Sequence, residues 1–215
     1  LSLNPNILHS RKTTKTTHPR TLYLYNQILK ELGIKVKIKH PFLFKTKGEI
    51  ISNLNNEFKD EIKETVTCGM SRQSKRYIWD DGKQCGVCIA CILRKISICA
   101  NNLENYDADY DVEYSRSLNK EEFIKRDLKN REQTKDYSSN KVTTYIEYSN
   151  AKYSEYYSGL HYFKELKKKI DNNEIYDYLD LNPNYYDDKE YYLKTVSMLK
   201  KFSNEVDYFI KKYNL

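Results

Sequence analysis

Cys85-Gly86-Val87-Cys88-Ile89-Ala90-Cys91 is the stretch on which the reading of this 215-residue chain turns. Three thiols at two-residue gaps cannot all bridge one another, but they can converge on one cation. Gly86 suits the tight turn that a metal knuckle needs. Cys68, with a gap of sixteen residues before this run, would return a fourth thiol and complete a tetrahedron. Cys99 lies on the helix predicted to start near Ile89, about two turns beyond Cys91, and reads as a core thiol. Three other readings compete with a metal site. Reduced cysteines can pack as small hydrophobes, although four within such a short stretch argue against it. Disulfides fit poorly with an odd cysteine count and no secretory leader. An iron–sulfur cluster uses similar runs, but no Cys-Pro closes this one, so Zn²⁺ is favoured. Four thiolates leave zinc no open position for water or substrate, and its role would be structural.

Outward from the cysteines, the composition divides in two. Residues 1–100 carry 18 basic and 8 acidic side chains and all five cysteines, whereas 101–215 carry 19 basic and 22 acidic side chains and 18 of the 21 tyrosines. The chain is therefore expected to divide at about 104/105 into a basic, cysteine-bearing domain (1–104) and a Tyr-rich, mainly helical extension (105–215). The longest apolar run covers 87–93, far short of the roughly 18 residues a membrane helix needs. Residues 1–17 contain neither an apolar leader nor an initiator Met, so the sequence is expected to be a fragment of a cytoplasmic protein.

Pro19 at a helix start and Gly33 at a helix end bracket Leu22, Tyr25, Ile28, Leu29 and Leu32 at helical spacing, which predicts a helix over 19–32. Ile34, Val36 and Ile38 then alternate with Lys35, Lys37 and Lys39, the period of a strand, ended by His40-Pro41. Thr46 and Glu49 have capping-box spacing, and Ile50, Ile51, Leu54 and Phe58 continue on one helical face. Helix, strand, loop and helix in this order predict an α/β fold. Farther on, 104–113 reads as a solvated acidic linker, Asn119 with Glu122 opens a helix, Asn182-Pro183-Asn184 makes a turn, and 187–213 repeats apolar residues at helical spacing.

Lys45, Lys47 and the Gly48 amide sit where a helix start would receive an anion. Arg11, Lys12, Lys15, His18 and Arg20 form a second basic group; Arg72, Lys75 and Arg76 form a third. Only Tyr77 and Trp79 interleave with these charges, which is thin for a nucleic-acid surface.

In order, His40-Pro41-Phe42-Leu43-Phe44-Lys45-Thr46-Lys47-Gly48-Glu49-Ile50-Ile51, then Cys68, then the Cys85 to Cys91 run closed by Arg94 resembles the C-terminal part of 7-cyano-7-deazaguanine synthase, QueC. The resemblance covers about residues 10–100, and Pro19-Arg20 fits a further segment of that family. Two departures accompany it. The family's S-G-G-x-D-S loop, which holds ATP phosphates, occurs nowhere in this sequence, and 124 residues follow Cys91, where the biosynthetic proteins end soon after their last cysteine. The long tail and the F-K-T-K-G-E stretch are more similar to a defence-associated branch such as QatC of the Qat anti-phage system.

The resemblance implies the C-terminal part of a PP-loop domain of the adenine nucleotide alpha hydrolase type, with a four-cysteine zinc site on Cys68, Cys85, Cys88 and Cys91. It implies ATP-dependent activation of a 7-deazaguanine carboxylic acid, followed by attack of ammonia or, in a defence branch, of a partner protein's amine. Lys47 would screen phosphate charge and Arg20 would hold substrate or phosphates, while Arg94 would brace the zinc helix or face the pocket. A zinc-containing defence subunit that binds a partner without chemistry, and a zinc module that binds RNA, are the competing functional classes.

Overall fold

A computed structural model of the chain describes residues 18–69, 84–110, 112, 119–132, 142–179 and 182–215. Arg11, Lys12 and Lys15, and the group Arg72, Lys75, Arg76, Tyr77 and Trp79, lie outside the described residues. Seven α-helices are described: α1 (Pro19–Glu31), α2 (Lys47–Ser52), α3 (Asn56–Lys59), α4 (Ile89–Cys99), α5 (Lys120–Glu132), α6 (Val142–Asp171) and α7 (Tyr191–Tyr213). None is long and apolar enough to cross a membrane. The residues fall into two compact units, 1–46 with 166–204, and 47–165 with 205–215. The compositional change near 105 lies within the second.

In the first unit, α1 starts as its sequence dictates. His18 is the N-cap in an extended conformation, its Nδ1 accepts the Arg20 N–H at 3.2 Å, and Pro19 occupies the first turn. Gly33 (φ +69°) ends the helix. Its N–H donates to Lys30 O while that of Ile34 donates to Leu29 O, the paired bonds of a Schellman motif. The predicted apolar stripe is present but only partly covered, with Leu22 and Leu29 half-buried and Tyr25, Ile28 and Leu32 exposed. The strand expected over 34–38 is not formed: the segment runs without helix, turn or bend, but no strand among the described residues pairs with it. Residues 183–185 pack on α1, with the Tyr23 and Tyr185 rings 5.4 Å apart. Phe44, Tyr186 and Tyr191 continue this aromatic layer, and Ile170, Ile175 and Leu199 are buried in the unit's core.

In the second unit, α2 packs against α4. Ile62, Ile98 and Leu103 form a core cluster with Ile51, Leu54 and Tyr106 against it. The single helix expected from 46 past Phe58 is instead two. Ser52 Oγ and Asn53 Nδ2 both donate to Glu49 O, and Asn55 adopts the extended N-cap conformation that starts α3. Short polar side chains that bond their own backbone compete with helix continuation, and Ser52-Asn53-Leu54-Asn55-Asn56 is rich in them. At α5 the expected box is formed: the Glu122 N–H donates to Asn119 Oδ1 at 2.9 Å, and the Asn119 N–H reaches back to Glu122 Oε2 at 3.4 Å. Phe123 of α5 packs on Tyr153 and Tyr156 of α6, and beside it buried Asp127 binds Ser149 Oγ and Lys152 Nζ, each at 2.6 Å. Gly159, having no Cβ, lets α6 lie against Ile89 and Ile92.

The α/β layering expected from sequence does not emerge, since no β-ladder forms among the described residues and Gln84 and Tyr110 meet only in an isolated parallel bridge. A period-two pattern specifies which faces a strand would have, but a ladder needs a partner strand.

Candidate metal centre

The four cysteines converge. The Sγ atoms of Cys68, Cys85, Cys88 and Cys91 all lie within 4.8 Å of one another, and all four residues are buried. Three local features bring them there. Gly86 (φ +75°) turns the chain between the first two thiols of the run. The Cys88 N–H then donates to Cys85 Sγ at 3.4 Å, and Cys88 caps α4, which places Cys91 on its first turn. Cys85 and Cys91 Sγ stand 3.8 Å apart, against an edge of about 3.8 Å for a tetrahedron of sulfurs at the usual zinc–sulfur bond length. The thiolates of a multi-iron cluster stand on different metal ions and lie farther apart, so the spacing suits one ion and is consistent with structural zinc. Without a cation, hydrogen bonds from Cys85, Cys88 and Cys91 hold the Cys68 thiol well below its ordinary pKa, and contacts with Cys68, Cys85 and Cys88 hold that of Cys91 above it. Cys99 stands outside the group, fully buried, its thiol pushed up to about 12 by burial.

Around the thiols lies a shell of hydrogen bonds. Arg94, the residue that closes the motif, is buried and braces the site. Its Nε donates to Asp107 Oδ1 at 2.7 Å and its Nη2 to Ile62 O at 2.7 Å. Its Nη1 donates to Thr65 O at 2.9 Å, Thr65 Oγ1 at 2.6 Å and Thr67 Oγ1 at 3.2 Å. The arm that delivers Cys68 is thus fastened to α4 by one guanidinium. Gln84 adds a second tie, accepting the Thr67 N–H at 3.1 Å through Oε1 and donating its own N–H to Asp109 O.

The stretch expected to be a solvated linker instead straps the knuckle. Asp107 joins Arg94 to the Tyr110 hydroxyl, which donates to Oδ2 at 2.7 Å, and burial followed by the Asp107 charge raises the Tyr110 pKa. Lys95 Nζ lies 4.0 Å from the Tyr110 ring centroid and donates to Val112 O at 3.3 Å. Val112 is buried, with its carbonyl oxygen so close to Gly86 that a Cβ there would collide with it. The signal for this strap is present in Tyr106, Tyr110 and Val112, apolar residues set among the acids.

The two anion-directed residues belong to different units. Arg20, in the first, is exposed at the start of α1. Lys47, in the second, opens α2. Much of its side chain is exposed, yet the protein around its ammonium and the nearby Arg94 charge lower its pKa. At Gly48 the space a side chain would take is filled by the Glu205 carboxylate, so the chain's own acid already lies at this helix start.

No curated protein and no solved structure matches the chain. A family model described as "Queuosine biosynthesis protein QueC" matches residues 18–102, less than half of the chain. The matched segment contains all four thiols, Arg94, Lys47 and Arg20, and the part of the chain that carries the candidate metal centre is QueC-like.

Proposed function

We propose that this chain is part of a QueC-like ATP-dependent ligase acting on a 7-deazaguanine carboxylic acid, in a cytoplasmic, QatC-like anti-phage setting. The observation that carries the reading is the family match over 18–102, with four thiols meeting inside it at single-ion spacing. In this reading residues 1–104 are the C-terminal part of a PP-loop domain and 105–215 an extension. Zinc, when bound by Cys68, Cys85, Cys88 and Cys91, neutralises the thiolates and staples two arms of the chain.

The chemistry is acyl activation. A carboxylate oxygen of the substrate attacks the α-phosphorus of ATP and pyrophosphate leaves; an amine then attacks the acyl carbon and AMP leaves. Lys47 supplies positive charge where phosphate charge develops, and the Arg20 fork holds phosphate or substrate carboxylate. No two glycines are adjacent in the sequence. The amides that cradle ATP phosphates would therefore come from a polypeptide carrying the S-G-G-x-D-S loop.

A second reading, a zinc-containing subunit that binds a partner without chemistry, is favoured by Glu205, which holds the α2 start against an incoming anion. One experiment separates the two. The chain is combined with a polypeptide bearing the phosphate loop and supplied with ATP and a 7-deazaguanine carboxylic acid. The ligase reading expects AMP and pyrophosphate, no turnover by the chain alone, and a loss on the order of tenfold to a thousandfold for Lys47→Ala. Release of ADP and phosphate would contradict it, and no turnover in the combined sample would favour the subunit.

A further inference from the structure

The strap over the metal centre is held at both ends. Its far end meets Arg94, Lys95 and Gly86, and its near end is held by α7. Lys212 Nζ pairs with Glu104 Oε1 and reaches Asn102 Oδ1 at 3.5 Å. The Tyr208 hydroxyl donates to the same Asn102 oxygen at 2.9 Å. The hydrogen bond to Glu104 is the main reason that the Lys212 pKa rises above its ordinary value. Between these two contacts along α7, Phe209 is fully buried, its ring 5.1 Å from that of Tyr213. Residues 205–215 accordingly belong to the same compact unit as the cysteines.

From Lys212 an unbroken run of contacts leads to the thiols. Glu104 O accepts the Asp107 N–H at 3.1 Å, so the residue that α7 grips and the residue that binds Arg94 share one turn. Asp107 Oδ1 accepts from Arg94 Nε, and Arg94 Nη1 donates to Thr65 and Thr67 on the arm that delivers Cys68. The inner links are stiff, because Arg94 and Asp107 are buried and fully engaged. The outer link is the weak one: the Lys212 and Glu104 side chains are 35% and 32% exposed, and solvent screens their attraction. A run of this kind yields first at its outermost member. Glu104, Asp107 and Lys212 all lie beyond residues 18–102, so this hold on the metal centre is built by residues outside the family-matched segment.

We propose that the last two turns of α7 are a latch on the metal centre: by gripping Glu104 and Asn102 they keep the strap closed, and unseating them loosens the hold of Cys68, Cys85, Cys88 and Cys91 on zinc. The extension thereby sets how long the metal stays. The proposal is independent of the ligase reading, since neither ATP nor substrate enters it.

The test is the rate at which an excess of chromogenic chelator strips zinc from the whole zinc-loaded chain. Release requires local opening, so its rate follows the strength of the strap's hold. Lys212→Met should speed release about twofold to fivefold, the worth of a half-exposed ion pair. Lys212→Glu should speed it about tenfold, because like charges then push α7 away from the strap. Lys212→Glu combined with Glu104→Lys restores the pair with its signs reversed and should return the rate to within about twofold of wild type. Lys211→Glu makes the same change of charge one residue away, on a side chain that is 75% exposed and pairs with Asp207 of its own helix, and should leave the rate unchanged. Circular dichroism checks that each variant is folded, and Lys212→Met keeps the test in force if Lys212→Glu is not. A chain that takes up no zinc, Lys212 variants that release it no faster than wild type, an equal effect of Lys211→Glu, or a reversed pair that restores nothing would each overturn the proposal.

Discussion

Replacing Arg94 by alanine should cost the second unit about 3–5 kcal/mol, because it leaves a buried carboxylate without its counter-ion. The Arg94 and Asp107 side chains are only 6% and 8% exposed, so solvent screens little of the interaction. Ile62 O and Thr65 O lose charged donors in the same step, each worth about 1–3 kcal/mol when left unsatisfied. These losses share one side chain and do not add, so the carboxylate sets the scale. The damage should also reach the metal, since Thr65 and Thr67 lie just ahead of Cys68 and lose their anchor. Outer partners of metal ligands typically contribute about tenfold to a hundredfold in affinity, and a drop of that size is expected. Urea unfolding followed by circular dichroism gives the first quantity and chelator competition the second. Arg94→Lys should rescue neither, as one ammonium cannot span Asp107, Ile62 and Thr65 together. Arg94→Met combined with Asp107→Leu should recover much of the stability, since no charge is then buried alone. An Arg94→Ala protein within about 1 kcal/mol of wild type, with unchanged metal affinity, would refute the bracing role.

Three further outcomes concern the thiols and the turn beside them, and a fourth concerns acid stability. Cys88→Ser should abolish binding of one metal ion per chain and loosen the surrounding segment, whereas Cys99→Ser should leave metal content intact, both read by elemental analysis. Because burial pushes the Cys99 thiol up to about 12, it should resist iodoacetamide in the native state at pH 8, with mass spectrometry showing alkylation only on unfolding. Gly86→Ala should destabilise by about 1–2 kcal/mol from its left-handed backbone alone, and by more in urea titrations because its Cβ meets Val112 O. Burial raises the Asp171 pKa, but hydrogen bonds from Lys167 and Ser203 outweigh it and the carboxyl ends below its ordinary 3.8. Its contribution is therefore full above that value and lost as pH falls below it, so the stability gap to Asp171→Asn should close on acidification.

The sequence is most legible where the cause is local. The α1 boundaries, the Asn119–Glu122 box and the four thiols each depend on residues a few positions apart, or on one returning ligand whose chemistry is unmistakable. Period-two alternation over 34–38 carries a strand's pattern, but pairing is a long-range property that the pattern does not contain. The stripe on α1 is likewise visible without its fate, because periodicity says which residues share a face and not whether that face is covered. The break after Ser52 lies in plain sight as a run of asparagines, outweighed by the apolar spacing around it. Asp107 is hidden for the opposite reason. An acid-rich stretch looks solvated until a buried guanidinium elsewhere gives one of its carboxylates a reason to be inside.

That strap sets an order of events during synthesis. Translation delivers Cys68 and then Cys85, Cys88 and Cys91 before the segment that closes over them. A nascent chain that has emerged only to residue 104 holds every thiol but lacks Asp107, Tyr110 and Val112. Arg94 then has no carboxylate, Gly86 has no cover, and four nucleophilic sulfurs stand open to oxidants and to soft cations other than the intended one. Metal delivered before the strap emerges would meet an open knuckle, whereas metal present when it closes would sit in one whose Gly86 and Arg94 are fastened by Val112 and Asp107. A chain halted before its acidic residues would therefore expose its thiols to oxidation and mismetallation more than one that carries the strap.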